Sequence, residues 1–364
     1  MTSIQKKQLE NWRHSCRYSY NKGIWLINDT DSSYSNHDLR NLITPAEVNS
    51  RTEWLLNTPK AIREASVFEA NKNKKACFTN YANGNIKHFK LRFISKKKES
   101  WTIGGFDDVK KISNNIISLY PRYNFGHAQT IEQMPDKYKT CSIHFDGNYY
   151  YILVPVETEF KKFLNKNPIA SLDPGVRTFN TLYDPIEEKC YKIGEGASNF
   201  IYKELLLLDK LISKRSFIKN ANAHKSISCK ISKKRIRIQN LQHEMHSKVS
   251  NWLCKKFNTI VIPKFGSKSM ISKSLKKVRC ISTKTVRNMS LLAHGKFLEM
   301  LKAKAQEFKS ELIIVDEIDT TKTCSKCLYK CNTIGAKEEW KCFKCKHFHD
   351  RDCNAAKNIL MKIY

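Results

Sequence analysis

The chain has 364 residues, enough to bury a full core and to hold two or three folded units, and its 65 Lys and Arg against 34 Asp and Glu leave a formal net charge of +31. An excess of that size repels itself unless a polyanion neutralises it, so the composition points to nucleic acid ahead of a merely soluble basic surface. Apolar runs such as LLLL (205–208) and LIIV (312–315) are too short to cross a bilayer, and the opening MTSIQKKQLENW lacks the apolar stretch of a signal peptide, so neither a membrane partner nor secretion is expected.

Residues 4–28 carry apolar side chains at helical spacing (Leu9, Trp12, Cys16, Tyr20, Ile24), and the segment 58–78 is again amphipathic, opening with Thr58 as cap followed by Pro59. From about residue 86 the texture changes: IKHFKLRFISKKK alternates basic and apolar residues as a strand with one wet face does. TCSIHF and YYYILVPV flank Asp146-Gly147-Asn148, which predicts a hairpin. Residues 165–168 read as a linker. Beyond it IASLD (169–173) and TLYD (181–184) are short strands joined by PGVR, and 199–257 forms two helical stretches. Both stretches are poor in acids and rich in Lys and Arg, including Lys214, Arg215, Lys233, Lys234, Arg235 and Arg237. An apolar stripe backed by such a face suits phosphate binding, with a solvated helix surface as the alternative. NTIVIPKF is a buried strand stopped by Pro263, a helix covers about 287–309, and ELIIVDE (311–317) is the next strand.

Of thirteen cysteines, seven are scattered singly (Cys16, Cys77, Cys141, Cys190, Cys229, Cys254, Cys280) and read as reduced thiols, since no export signal argues for a disulfide framework. Cys324-x-x-Cys327 and Cys342-x-x-Cys345 are two knuckles separated by fourteen residues. Each pair sets two thiolates around a tetrahedral ion from one tight turn, which predicts a zinc ribbon; a redox dithiol needs no second knuckle. Cys331, His347 and His349 are alternative fourth ligands. Four protein ligands close the shell, so the zinc is structural.

Hydrolysis of nucleic acid by two Mg2+ ions, roughly 3.5–4 Å apart, requires carboxylates converging from separate elements. Asp173 ends a buried strand, where an acid is costly unless it has a task, although an acid capping the next turn fits the same position. Asp352 lies in DRDCNAAKNIL at the start of a predicted helix, where an N-cap is the alternative role.

The order of these pieces resembles the split RuvC nuclease of TnpB proteins, RNA-guided DNA nucleases of bacterial insertion sequences, and of their eukaryotic and viral relatives, the Fanzor proteins. LDPGVRTF around Asp173, DEIDTTKTCSKC, KCFKC and DRDCNAAKNI carry the resemblance over about 169–361; IQKKQLENWRHSCRYSYNKGI is similar to the family's opening helix, and the hairpin at Asp146-Gly147 to part of its wedge barrel. The resemblance implies a multidomain mixed α and β protein: a helical recognition region over 1–85, an oligonucleotide-binding-type β-barrel over 86–165, and an RNase H-like (RuvC) domain over 166–364 with the basic helical pair 199–257 and the zinc ribbon 320–350. The family has a short strand before its opening helix, which this chain, starting almost at the helix, lacks, or which lies upstream.

The resemblance further implies an Asp-Glu-Asp catalytic set holding two Mg2+. The first maps to Asp173, and the third to Asp352, which has the D-x-N-A-A spacing that Asp350 lacks. Pro263 stands where the strand glutamate belongs. Fanzor proteins and some TnpB variants carry that acid on the strand before the ribbon, which here gives Glu317, with Asp316 in reserve because one strand does not tell which face looks at the metals. That strand is expected beside the one bearing Asp173. The implied activity is RNA-guided, Mg2+-dependent DNA cleavage, with a guide RNA (omega RNA) and a double-stranded DNA target next to a short motif as partners. The alternatives are an RNA-guided DNA-binding protein without cleavage and a guide-free RNase H-like nuclease. An intracellular location is expected: the nucleus for a Fanzor protein, the cytoplasm or nucleoid otherwise.

Overall fold

The computed structural model describes residues 1–29, 34–44, 52–160, 163, 166–264, 282–316, 318–331, 334 and 337–363. By internal contacts the chain divides into two units, Met1–Glu157 and Thr158–Tyr364.

In the first unit helix α1 (Ser3–Asp29) turns Leu9, Trp12, Cys16, Tyr20 and Ile24 inward, as their spacing predicts. Helix α2 (Asn36–Ile43) opens on a capping box between Ser35 and Asp38. Helix α3 (Lys60–Ala82) is preceded by Pro59 in the cap position, not Thr58. The Thr58 hydroxyl instead donates to Ser15 Oγ at 2.7 Å and is spent on α1.

The expected strand near residue 86 does not form; the chain from 88 to 95 is extended without a ladder. Its backbone groups are taken by side chains of α1. Asn21 accepts from Ile94 N at 2.7 Å and donates to Ile94 O at 3.1 Å, and Asn28 donates to Leu91 O at 3.2 Å. Asparagines that satisfy the backbone in this way remove the need for a partner strand.

Strands β1 (Trp101–Phe106), β5 (Cys141–Phe145) and β6 (Tyr150–Leu153) form one antiparallel sheet, and β2 (Val109–Ser113), β3 (Ile116–Leu119) and β4 (His127–Gln129) another. The β5–β6 hairpin turns at Gly147 (φ 102°), with Asp146 Oδ1 accepting from Asn148 N and Tyr149 N. Inward residues of both sheets, among them Ile103, Phe106, Ile117, Leu119 and Ile143, share one core with Leu9 and Trp12.

The second unit is built on a five-stranded sheet of order β11-β10-β7-β8-β9, from β7 (Asn167–Pro174), β8 (Asn180–Asp184), β9 (Lys189–Ile193), β10 (Phe257–Pro263) and β11 (Glu311–Val315). Strands β7, β8 and β9 form an antiparallel meander, whereas β10 runs parallel to both β7 and β11. Strand β7 begins at Asn167, so part of the expected linker is strand. Strand β11 lies next to β10, one place further from Asp173 than the sequence suggested.

Period-two alternation divides β7 between two covered faces. Ala170 and Leu172 pack with Leu253, Phe297 and Leu301, which come from helices α5 (Ala221–Lys256) and α7 (His294–Glu307). Helix α4 (Ala197–Ser216) packs on α5 through Ile201, Leu208, Ile227 and Ile231. The expected single helix over 287–309 is two: α6 (Thr283–Leu292) and α7 are separated by Ala293, which is left-handed (φ 49°) and donates its N–H to Met289 O. Strands β12 (Glu339–Lys341) and β13 (Phe348–Asp350) form a short hairpin.

The other face is covered by α8 (Arg351–Leu360), whose Ile359 and Leu360 pack with Val261, Ile169, Ile313 and Val315. Ala355 and Ala356 are fully buried, and Ser171 Oγ donates to Ala356 O at 2.6 Å. Small side chains here let the helix backbone come within reach of a strand hydroxyl. Replacing Ala356 by Leu is expected to lift α8 off β7 at a cost of about 1–3 kcal/mol, read as a lower urea midpoint with an unchanged slope.

Candidate metal centres

The sulfur atoms of Cys324, Cys327, Cys342 and Cys345 lie within 4.8 Å of one another. The two knuckles repeat one backbone device. Leu328 N–H donates to Cys324 O at 2.8 Å and Lys346 N–H to Cys342 O at 3.0 Å, and both residues take a left-handed φ, of 60° and 59°. Within each knuckle backbone N–H groups also aim at the first sulfur, from Lys326 and Cys327 at Cys324 and from Lys344 and Cys345 at Cys342. Burial pushes the Cys324 thiol up to about 12. At Cys342 burial acts the same way but is outweighed by the N–H groups and the neighbouring thiols, which bring it to about 7. Donors aimed at sulfur from tight turns suit thiolates bound to a tetrahedral divalent ion, so the four cysteines fit structural zinc. Of the alternative ligands, Cys331 is buried beside the cluster, and His349 Nε2 lies 3.1 Å from Cys324 Sγ while its ring stacks on Trp340 at 4.8 Å.

Ribbon and helix are joined by two asparagines whose role the sequence reading missed. Asn354 accepts from Ser325 N at 2.9 Å and donates to Thr323 O at 2.7 Å. One turn on, Asn358 donates to Thr320 O and Thr323 O at 2.7 and 2.6 Å. Their spacing of four residues, on one helix face, was the available signal.

At the helix start Asp350, not Asp352, is the N-cap: its Oδ1 accepts from Asp352 N and Cys353 N, both at 3.0 Å. Its Oδ2 lies 3.0 Å from Lys192 Nζ. Burial raises the Asp350 carboxyl, but these hydrogen bonds and Lys192 outweigh it and hold the group below the usual carboxylate range. Asp352 is thereby released from capping, with Arg351 at 3.4 Å.

Two lines of pairing set Asp173 and the start of α8 on the same side of the sheet. Across the meander Asp173 pairs with Thr181 and Thr181 with Lys192, so the three share a row and a face, and Lys192 holds the start of α8. Along the strand, Ile169 packs in the Ile359 cluster and Ser171 meets Ala356, so ascending β7 means descending α8. The next step up from Ser171 is Asp173, and the next turn back from Ala356 is Asp352. Asp173 is 8% exposed.

The third predicted acid, Glu317, lies outside the described residues. The strand before it is informative. Pro263 pairs with Val315, and Val261 with Ser171, so β7, β10 and β11 end at one level of the sheet. Ile313 and Val315 face α8, the side that Asp173 shares with Ser171, whereas Leu312 packs on the opposite face.

Cys190 of β9 and Cys353 of α8 form a further pair. The contact between their thiols holds Cys190 below and Cys353 above the usual thiol range. Among the basic candidates Lys214, Lys233, Arg235 and Arg237 are exposed and Arg215 half-buried, and Lys234 is half-buried and tied to Glu204 at 2.7 Å. Arg237 stands 3.7 Å from the same carboxylate, which Lys234 above all holds below its ordinary range.

Comparison with known proteins places this geometry in a lineage. Residues 294–359 match the family described as Cas12f1-like, TNB domain. A putative transposase of Paramecium bursaria Chlorella virus 1 is 28% identical over 99% of this chain and 84% of its own length, and a TnpB-like protein of Acanthamoeba polyphaga mimivirus is 28% identical over 99% and 71%. Among solved structures, Cas12f1 in its complex with single guide RNA and target DNA matches 98% of this chain and 81% of its own with a TM-score of 0.59 at 16% identity, a likeness of fold. Along nearly its whole length the chain is similar to these viral TnpB-like proteins. Its mixed α and β fold resembles that of Cas12f1, and the second unit with its four-cysteine cluster is consistent with a RuvC-type fold carrying a zinc ribbon.

The turn after Asp173 rests on a buried histidine. His294, at the start of α7, lies with Nε2 2.9 Å from Gly175 O and with its ring stacked on Phe179 at 5.0 Å; His246 stacks on Phe179 at 5.4 Å. Burial pushes His294 down to about 4, with the Gly175 hydrogen bond opposing. Below its ordinary value of 6.5 the unfolded chain takes up a proton that the folded chain refuses until about 4. The stability this neutral ring contributes is therefore complete above the unfolded value and is lost as pH falls through that window, up to about 3 kcal/mol. His294→Gln, which keeps a donor toward Gly175, is expected to show a shallower loss of stability over the same range in paired urea titrations.

The ribbon yields a metal prediction. The purified chain is expected to hold about one zinc per molecule through its four thiolates, and Cys342→Ser to lose it together with thermal stability, because α8 is tied to the ribbon by Asn354 and Asn358. Full zinc content in the variant, measured by plasma mass spectrometry, would sink this assignment.

Proposed function

We propose that the protein is an RNA-guided DNA endonuclease in which Asp173, Glu317 and Asp352 hold two Mg2+ ions. What supports this reading is that Asp173 and the first turn of α8, which bears Asp352, lie on the same side of the sheet, with Asp350 engaged as the N-cap and by Lys192. The ions, when bound, supply an activated water and a charge clamp on the leaving oxygen. The chain's own part is to hold the carboxylates still: Asp173 by strand pairing and Asp352 by the capped and clamped first turn of α8, with Glu317, two residues after Val315, proposed as the third acid. In-line attack leaves 5'-phosphate and 3'-hydroxyl ends.

Guidance is proposed by analogy with the solved relative, which was caught with guide RNA and target DNA. The net charge of +31 and the exposed face of α4 and α5 (Lys214, Lys233, Arg235) favour a structured guide as partner, with Lys234 better read as the Glu204 anchor. In this reading residues 1–85 serve recognition, 86–165 the wedge, and 166–364 the nuclease, and the protein works inside the cell, in the nucleus as a Fanzor protein and in the cytoplasm or nucleoid otherwise. Pro263 favours a second reading, an RNA-guided binding protein without cleavage.

The test is Mg2+-dependent cutting of a target matched to the RNA that co-purifies with the chain. Asp352→Asn and Glu317→Gln are each expected to lower the rate by at least about 10²-fold with RNA binding intact. Cutting that survives Glu317→Gln would reject this acid, absence of cutting in the unaltered chain would favour the binding protein, and heterogeneous RNA fragments would favour a guide-free nuclease.

A further inference from the structure

The cysteines Cys190 and Cys353 stand outside both the ribbon cluster and the carboxylates, yet the sheet register aims them at one another. Cys190 pairs with Tyr183 and Tyr183 with Ser171, whose hydroxyl holds Ala356 O of α8. The neighbouring row on the same face, Asp173, Thr181 and Lys192, holds Asp350 at the start of α8. Cys353 falls between these two anchors on the helix, and Cys190 lies two residues before Lys192 on the same face of β9. The two side chains interact, both residues are half-buried, and Cys353 directly follows Asp352.

We propose that Cys190 and Cys353 form a thiol–disulfide modification site that takes an oxidant of the disulfide class, such as oxidised glutathione, and that closing it slows the adjacent metal centre. The second half rests on the nuclease reading above. One protein thiol, as thiolate, attacks a sulfur of the oxidant; the oxidant's S–S bond breaks and one small thiol leaves with the proton. The other protein thiol then attacks the mixed disulfide, the protein S–S bond forms, and the second small thiol leaves with the second proton. Two electrons pass from the protein pair to the oxidant.

The consequence for the site is geometric. A disulfide holds its sulfurs about 2.05 Å apart, well inside any non-bonded contact, so the first turn of α8 is drawn toward β9. Asp352 moves with that turn, and a displacement of about 1 Å among reacting groups costs on the order of 10²-fold in rate.

The experiment treats the zinc-loaded, RNA-bound full chain with oxidised glutathione and digests it without reductant. The expected product is a Cys190–Cys353 cross-linked peptide, reversed by dithiothreitol and formed with zinc retained. The cleavage rate is expected to fall about 10–100-fold, while Cys190→Ser, or Cys190→Ala should the serine variant fold poorly, cuts at the normal rate and ignores the oxidant. Cys190 and Cys353 recovered as thiols or as separate glutathione adducts would overturn the modification site. An unchanged rate in a fully cross-linked sample would overturn its effect on the centre. A reduced chain that cuts nothing would instead remove the nuclease reading and the regulation with it, and the cross-linked peptide would still decide whether the site exists.

Discussion

The seating of α8 on the meander is the constraint on which the second unit depends. A carboxylate on the first turn of a ten-residue helix is only as well placed as that turn, and a short helix holds its start poorly by itself. Here the turn is fixed on three sides. Asp350 caps it and reaches Lys192 of β9, the two buried alanines bring it down to Ser171 of β7, and Asn354 and Asn358 fasten it to the ribbon. Apart from the exposed Lys192, the groups that make these contacts are buried or half-buried with defined partners, the kind that fix geometry as well as adding stability.

The ribbon follows from the same requirement. Among the described residues the segment from 318 to 350 packs a small apolar cluster, with Cys331, Ile334 and Trp340 beside the cysteines, far less than an independent core needs. Four thiolates around one ion would supply the missing cohesion, and the paired left-handed residues Leu328 and Lys346 shape both knuckles alike for that task. A rigid ribbon then gives Asn354 and Asn358 fixed carbonyls to hold. In this sense the structural metal acts on the chemistry by one intermediate, the helix.

Much of this was legible in the sequence because it rests on local patterns. The knuckle spacing, the Asp146-Gly147 turn and the apolar stripe of α1 each encode their structure within a few residues. What was missed depends on partners distant in sequence. The segment 86–95 alternates like a strand, but Asn21 and Asn28 of α1 take its backbone groups. Thr58 has the composition of a cap, yet its hydroxyl goes to Ser15. Asp352 and Asp350 are indistinguishable as helix-start acids until Lys192 and the cap geometry separate them. Cys190 and Cys353 read as unrelated thiols because 162 intervening positions hide a register that only the sheet reveals.

The same register explains how a proline is tolerated where the family carries an acid. In a central strand a proline removes a ladder donor, but Pro263 is the last residue of β10, and the following Lys264 N–H resumes pairing to Val315 O at 2.9 Å. The chain therefore keeps β10 in register with both neighbours while giving up the side chain at its tip. A residue carried just beyond β11 starts one strand further from Asp173 than Pro263 does, a lateral step of about 4.8 Å.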